Sequence, residues 1–112
     1  MRDAQLERVR RMCLALPSTS EKLSHGEPTF FLKKRVFAMF SGDHHHDNRI
    51  ALIIPALPGM QNMLVTSEPR KFYVPPYVGV RGWIGIELDK MNDDEELAGY
   101  IQEAWRLISR KK

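Results

Sequence analysis

Cysteine is nearly absent. Cys13 stands alone, so no internal disulfide can form and the fold has to be held by its core. Long apolar runs are missing as well: the longest, Ile50 to Leu57, is interrupted by Pro55 and falls far short of the ~20 residues of a membrane helix. No repeat, low-complexity tract or linker divides the chain. The opening residues Met1-Arg2-Asp3-Ala4-Gln5 lead straight into an amphipathic pattern with no apolar leader, so a cytoplasmic protein without membrane association is expected. What is present, 43% hydrophobic and 28% charged residues in a chain of 112, argues against disorder and for one globular domain over residues 1–112.

The net charge of +3 is too mild to select a partner, but its distribution is uneven. Residues 1–40 hold eight basic and four acidic side chains, and residues 41–68 hold one and three. Residues 69–86 hold three basic side chains and no acid, while residues 87–112 hold five basic and seven acidic. The acid-free stretch is the natural candidate for a surface that faces an anion.

Apolar residues at Leu6, Val9, Cys13 and Leu16 form the stripe of a helix with one buried face, which Pro17 ends. This places the Cys13 thiol among packing residues. Ser18-Thr19-Ser20-Glu21 has capping-box spacing and predicts a short helical turn ending near Leu23. Three strand-like runs follow: Thr29–Leu32, Arg35–Phe40 and Arg49–Ile54, joined by Lys33-Lys34 and by the polar loop Ser41–Asn48. Met60, Met63 and Leu64 fall at helical spacing, residues 70–74 are ambiguous, and Gly82–Leu88 alternates as a strand. Asn92-Asp93-Asp94-Glu95 starts a last helix with Leu97, Ile101, Ala104 and Ile108 on one face. The expected order is α-β-β-β-α-β-(β)-α, an α+β domain with helices on one face of a mostly antiparallel sheet.

Four constellations bear on chemistry. His44, His45 and His46, flanked by Asp43 and Asp47, offer metal-ligating groups. Neighbouring residues of a hairpin loop point different ways, however, and the spacing matches no structural zinc pattern, so a solvated or turn-capping loop is the plainer reading. His25 and Glu27 could form an acid/base pair, but no nucleophile accompanies them, and Gly26 and Pro28 read as a turn. Gly79-Val80-Arg81-Gly82 has the form of a phosphate-clamping G-x-x-G. It does not join two helices, so its glycines read as turn residues. The fourth is the basic set Lys33, Lys34, Arg35, Arg70, Lys71 and Arg81, interleaved with Phe72, Tyr73 and Tyr77. Its cations can neutralise phosphates while exposed rings stack on unpaired bases. The alternative is solubilising lysines and buried rings. No helix-turn-helix or zinc-finger spacing supports readout of base sequence.

Leu16-Pro17, His25-Gly26-Glu27-Pro28-Thr29-Phe30, Lys34-Arg35-Val36-Phe37-Ala38 and Asp43-His44-His45 resemble, in order, segments of the MmcQ/YjbR family of small bacterial proteins. The resemblance continues through Arg70-Lys71-Phe72, Pro75-Pro76-Tyr77-Val78-Gly79, Gly82-Trp83-Ile84-Gly85 and Glu87-Leu88-Asp89, covering residues 14–108. It implies an α+β domain related to frataxin-like and secretion-chaperone-like arrangements, with DNA binding through a double-wing shape. It implies neither an enzyme active site nor a cofactor.

The expectation is therefore a non-enzymatic DNA-binding protein that contacts phosphates through Lys33, Lys34, Arg35, Arg70, Lys71 and Arg81, with Tyr73 beside them. The alternative is a homo-oligomeric or protein-binding module using an edge strand or the Met60–Leu64 helix. Metal or small-ligand binding at His44–His46 is the third reading.

Overall fold

Apolar stripes of period 3.6 and β-branched or aromatic runs alternate along this chain, and each forms the element its period dictates. A computed structural model describes residues 2–42 and 49–110. The elements are α1 (Arg2–Leu14), β1 (Thr19–Ser24), β2 (Glu27–Leu32), β3 (Arg35–Gly42), β4 (Ile50–Ile54), α2 (Met60–Ser67), β5 (Phe72–Tyr73), β6 (Ile84–Glu87) and α3 (Asp94–Ser109). All six strands join one antiparallel sheet in the order β1-β2-β3-β4-β6-β5. The fold is α+β, as expected, and β5 is the additional strand from the ambiguous stretch.

One prediction is corrected. Ser18–Leu23 does not form a helical turn; from Thr19 to Ser24 the chain forms the edge strand β1. The Thr19 hydroxyl, cast as a capping group for a helix to come, instead donates to the carbonyls of Cys13 (3.0 Å) and Leu16 (2.8 Å) at the end of α1. The Glu21 carboxylate is taken by Arg10 of α1 through two bonds of 2.7 and 2.8 Å. With both side chains engaged by α1, the backbone of this segment pairs with the edge that β2 offers.

α1 and α3 cover one face of the sheet. Arg8 of α1 bonds Asp94 at the start of α3, and the Pro17 carbonyl accepts from Trp105 near its end, so the two helices run side by side in the same direction. Beneath them, Phe30, Phe40, Leu52, Ile54, Ile84, Ile86 and Phe72 point from the strands into the core. A β-bulge sets Phe37 and Ala38 opposite Phe30, which lets two consecutive residues both be fully buried. Burying each large side chain contributes about 1.5–3 kcal/mol. Exposed ion pairs contribute about 0–1 kcal/mol, so the core and not the surface charge holds the sheet to its helices.

α3 begins one residue later than the sequence spacing suggests. Asp93 is the cap, and its side chain accepts from the amides of Glu95 (2.9 Å) and Glu96 (3.2 Å). Among the described residues no helix is long and apolar enough to cross a membrane.

Candidate nucleic-acid interface

The basic residues singled out in the sequence do not form one surface. The β2–β3 turn projects Lys33, Lys34 and Arg35 beside the C-terminal end of α3. There, with Pro17, Ser18, Leu32, Trp105, Ile108 and Ser109, they line a cavity of about 630 Å³. Among the described residues no carboxylate lines it. Lys33, Lys34, Arg35 and Arg110, the last at the C-cap of α3, make no ion pair among the described residues.

The backbone at this end is built with some cost. Leu32 pairs with Arg35, so Lys33-Lys34 is a two-residue turn in which Lys33 alone has positive φ (57°). A left-handed position of this kind prefers glycine. A lysine there costs roughly 1 kcal/mol relative to glycine. The Lys33 amide donates to the carbonyl of Ser18 (3.0 Å), itself at φ 63°, and this bond ties the turn to the exit of α1.

The carbonyl end of α3 faces the same region and carries about half a negative charge. Against three or four full cations it does not decide the sign of the potential.

The second basic group lies elsewhere. Lys71 Nζ sits 3.2 Å from Glu68 and 3.6 Å from Glu96, in the first turn of α3. Glu68 and then Glu96 raise its pKa by stabilising the ammonium. From Glu96 to Ile108, beside the cationic cavity, the helix rises ~18 Å. Lys71 is therefore internally paired and remote from Lys33. Arg70 is exposed near it, and the Arg81 guanidinium lies over the Trp83 ring at 5.6 Å.

Tyr73 is a correction: it is only 7% exposed, packed on Gly85 and covered by the Arg49 guanidinium 3.9 Å above its ring, so it cannot stack on a base. Phe72 is wholly buried, edge-on to Tyr100. Tyr77 is the ring that stays accessible, at 84% exposure.

The remaining candidates divide as follows. Cys13 is fully buried, and burial, aided by Glu21, pushes its thiol up to about 12, so it is a packing residue and not a nucleophile. Glu27 is engaged by Arg2 (3.0 Å) and the Gly42 amide (2.6 Å), while His25 sits exposed in the β1–β2 turn. The Gly79–Gly82 glycines enclose a short 3-10 turn (Val78–Arg81), pinned by Gln61, which donates to the Gly79 and Trp83 carbonyls. His44, His45 and His46 lie outside the described residues. Among the described residues no three His, Cys, Asp or Glu side chains are grouped to hold a metal. Of the α2 positions, Leu64 is buried and Met63 about half exposed.

Two contributors went unnoticed in the sequence. Arg110 is followed by Lys111 and Lys112, and three basic residues after the apolar stripe of the last helix signal a cationic end. Lys22 reads as an isolated charge until β1 places its ammonium 5.6 Å from the Phe31 ring.

A six-stranded antiparallel sheet with helices on one face and a cationic hairpin tip defines a small α+β protein. A family model described as YjbR matches residues 14–107, and the chain belongs to the YjbR family. Among solved structures, the crystal structure of the Deinococcus radiodurans protein DR2400, with domain DUF419, superposes with a TM-score of 0.77 at 20% identity. The match covers 95% of this chain and 79% of that one, and it shows a shared fold. No curated protein matches.

Proposed function

We propose that this protein binds nucleic acid through phosphate contacts at the β2–β3 tip, with Lys33, Lys34, Arg35 and Arg110 as the cations, and that it acts by binding and not by catalysis. The observation that carries the reading is the cavity beside the tip, lined among the described residues by three cations and no carboxylate, with Lys33 standing where glycine would fit the backbone better. Arg70 and Arg81 are at most peripheral to this surface, and Lys71 is committed to Glu68 and Glu96.

Counterion release gives the test. Four phosphate contacts predict that log K falls with log salt at a slope of about −3.6 on duplex DNA and about −2.8 on single strands. The triple variant Lys33→Gly/Lys34→Gln/Arg35→Gln removes three cations and relaxes the turn, so the duplex slope shrinks by about 2.7 with the fold intact. Arg70→Gln/Arg81→Gln leaves the slope unchanged. Fluorescence anisotropy across a salt series measures all three proteins. Binding that is undetectable at low salt, or a slope the triple variant does not alter, overturns the proposal.

A further inference from the structure

The sheet face opposite the helices carries a second feature that phosphate binding does not use. One register row runs across it through Lys22, Thr29, Met39, Ile53, Gly85 and Tyr73. Tyr73 and Arg49 cover its Gly85 end. Over Thr29, Met39 and Ile53 the face opens into a groove of about 490 Å³, walled by Ser24 and His25 on one side and by Pro76, Tyr77 and Val78 on the other.

Tyr77 stands on this wall in a costly conformation. Its φ of 66° and ψ of −69°, with the Val78 amide donating to the Pro76 carbonyl at 2.8 Å, define a γ-turn of the rare positive-φ hand. A bulky residue at positive φ is an outlier that glycine would relieve, and such strain concentrates at functional positions. Here it holds an aromatic ring at the groove's rim.

The lining selects a class of ligand. Met39 and Ile53 make an apolar floor, and the thioether favours an aromatic neighbour. The hydroxyls of Thr29 and Ser41 border it, and the Thr29 hydroxyl donates to the Glu27 carbonyl at 3.1 Å while keeping acceptor capacity. Among the described residues the one carboxylate of the lining, Glu27, is held by Arg2 and the Gly42 amide, and no lysine or arginine lines the groove. This suits a flat, uncharged ring with a hydrogen-bonding edge and not a phosphate.

The groove lies on the face opposite the α3-lined cationic cavity, and β2 links it to the tip at the end of the sheet. Phe31, two residues along β2 from Thr29 and ~7 Å away, occupies the next row of the same face with Lys22 over its ring. Cations at the tip, then Phe31 with Lys22, then the Tyr77 groove form a track of the kind that binds single strands by backbone charge and base stacking.

We propose that the Tyr77 groove accepts an unpaired nucleobase of a strand whose phosphates lie at the β2–β3 tip; the inference rests on the nucleic-acid reading above. The probes are a short oligothymidine and an abasic strand of equal length, which carries the same phosphates without bases. The wild type should bind oligothymidine roughly tenfold more tightly than the abasic strand. Tyr77→Gly, which removes the ring and relaxes the turn, should cut that preference severalfold while leaving the salt slope unchanged and the thermal midpoint no lower. Lys33→Gly/Lys34→Gln/Arg35→Gln should weaken binding to both strands alike. Equal affinity of the wild type for the two strands, or a preference that Tyr77→Gly does not diminish, overturns the base site while phosphate binding stands. Failure to bind either strand at low salt overturns both.

Discussion

The same substitution, glycine to alanine, is expected to act with opposite sign at positions 85 and 99. Gly85 in β6 pairs with Tyr73, and a Cβ added there would lie under 3.0 Å from three atoms of the tyrosine ring. The ring has little freedom to retreat, because Arg49 lies 3.9 Å above it. Overpacking of this kind costs about 1–3 kcal/mol. Gly99, inside α3, has nothing within 4 Å of an added Cβ, so alanine there gains only helix propensity, about 1 kcal/mol. Taking the middle of the first range, the two variants should differ by about 3 kcal/mol. For 112 residues, an unfolding entropy of about 2.1 cal/mol/K per residue converts this to a midpoint lowered by about 8 °C for Gly85→Ala and raised by about 4 °C for Gly99→Ala. Urea and thermal melts followed by circular dichroism read both. In the double variant Gly85→Ala/Tyr73→Ala the clash is gone, so the two losses should fall short of adding. If Gly85→Ala leaves stability unchanged, Tyr73 does not pack on β6, and it returns to the set of rings open to a ligand.

Two further predictions concern the helices and their packing. Burial lifts the Cys13 thiol from an ordinary 9.0 to about 12, so the folded state keeps a proton that the unfolded chain releases. Stability is fully present below about pH 9 and declines as pH rises toward 12, by up to about 1.4 kcal/mol per pH unit. Tyr100, raised by burial and by Glu96 and Glu68, and Lys71, raised by Glu68 and Glu96, tilt the curve the same way. Cys13→Ala should flatten that decline in urea melts over the alkaline range, and a wild type equally stable at about pH 8 and pH 11 contradicts the linkage. Asp93→Ala removes the acceptor for two amides of α3 and should cost about 1 kcal/mol, whereas Asp93→Asn should cost markedly less; equal urea midpoints for the two variants would show that another group caps the helix.

Much of the fold was legible because local pattern and tertiary packing agree. The stripe Leu6, Val9, Cys13 buries one side of α1, and Leu97, Ile101, Ala104 and Ile108 bury one side of α3. β3 and β4 follow from runs too rich in aromatic and branched residues to be anything else. β1 was not legible, since Thr19-Ser20-Glu21-Lys22 is polar and has the spacing of a helix cap. It becomes a strand only because α1 binds Thr19 and Glu21 from one side and β2 offers an edge on the other. The candidate site was half legible. Lys33, Lys34 and Arg35 are contiguous, so a turn between two strands had to bring them together. Lys71 and Tyr73 stand equally close to Arg70 in sequence, yet one is claimed by carboxylates of α2's flank and α3, and the other is buried.

By itself the sequence determined what depends on neighbours along the chain: the helices, the central strands, the basic turn and membership of a family whose pattern spans residues 14–107. Only the tertiary structure decided which charges remain unpaired, which rings remain exposed and which face of the sheet stays open. The physical reason is that pairing and burial are settled between residues distant in sequence, such as Lys71 with Glu96 and Tyr73 with Gly85. No local period records those encounters.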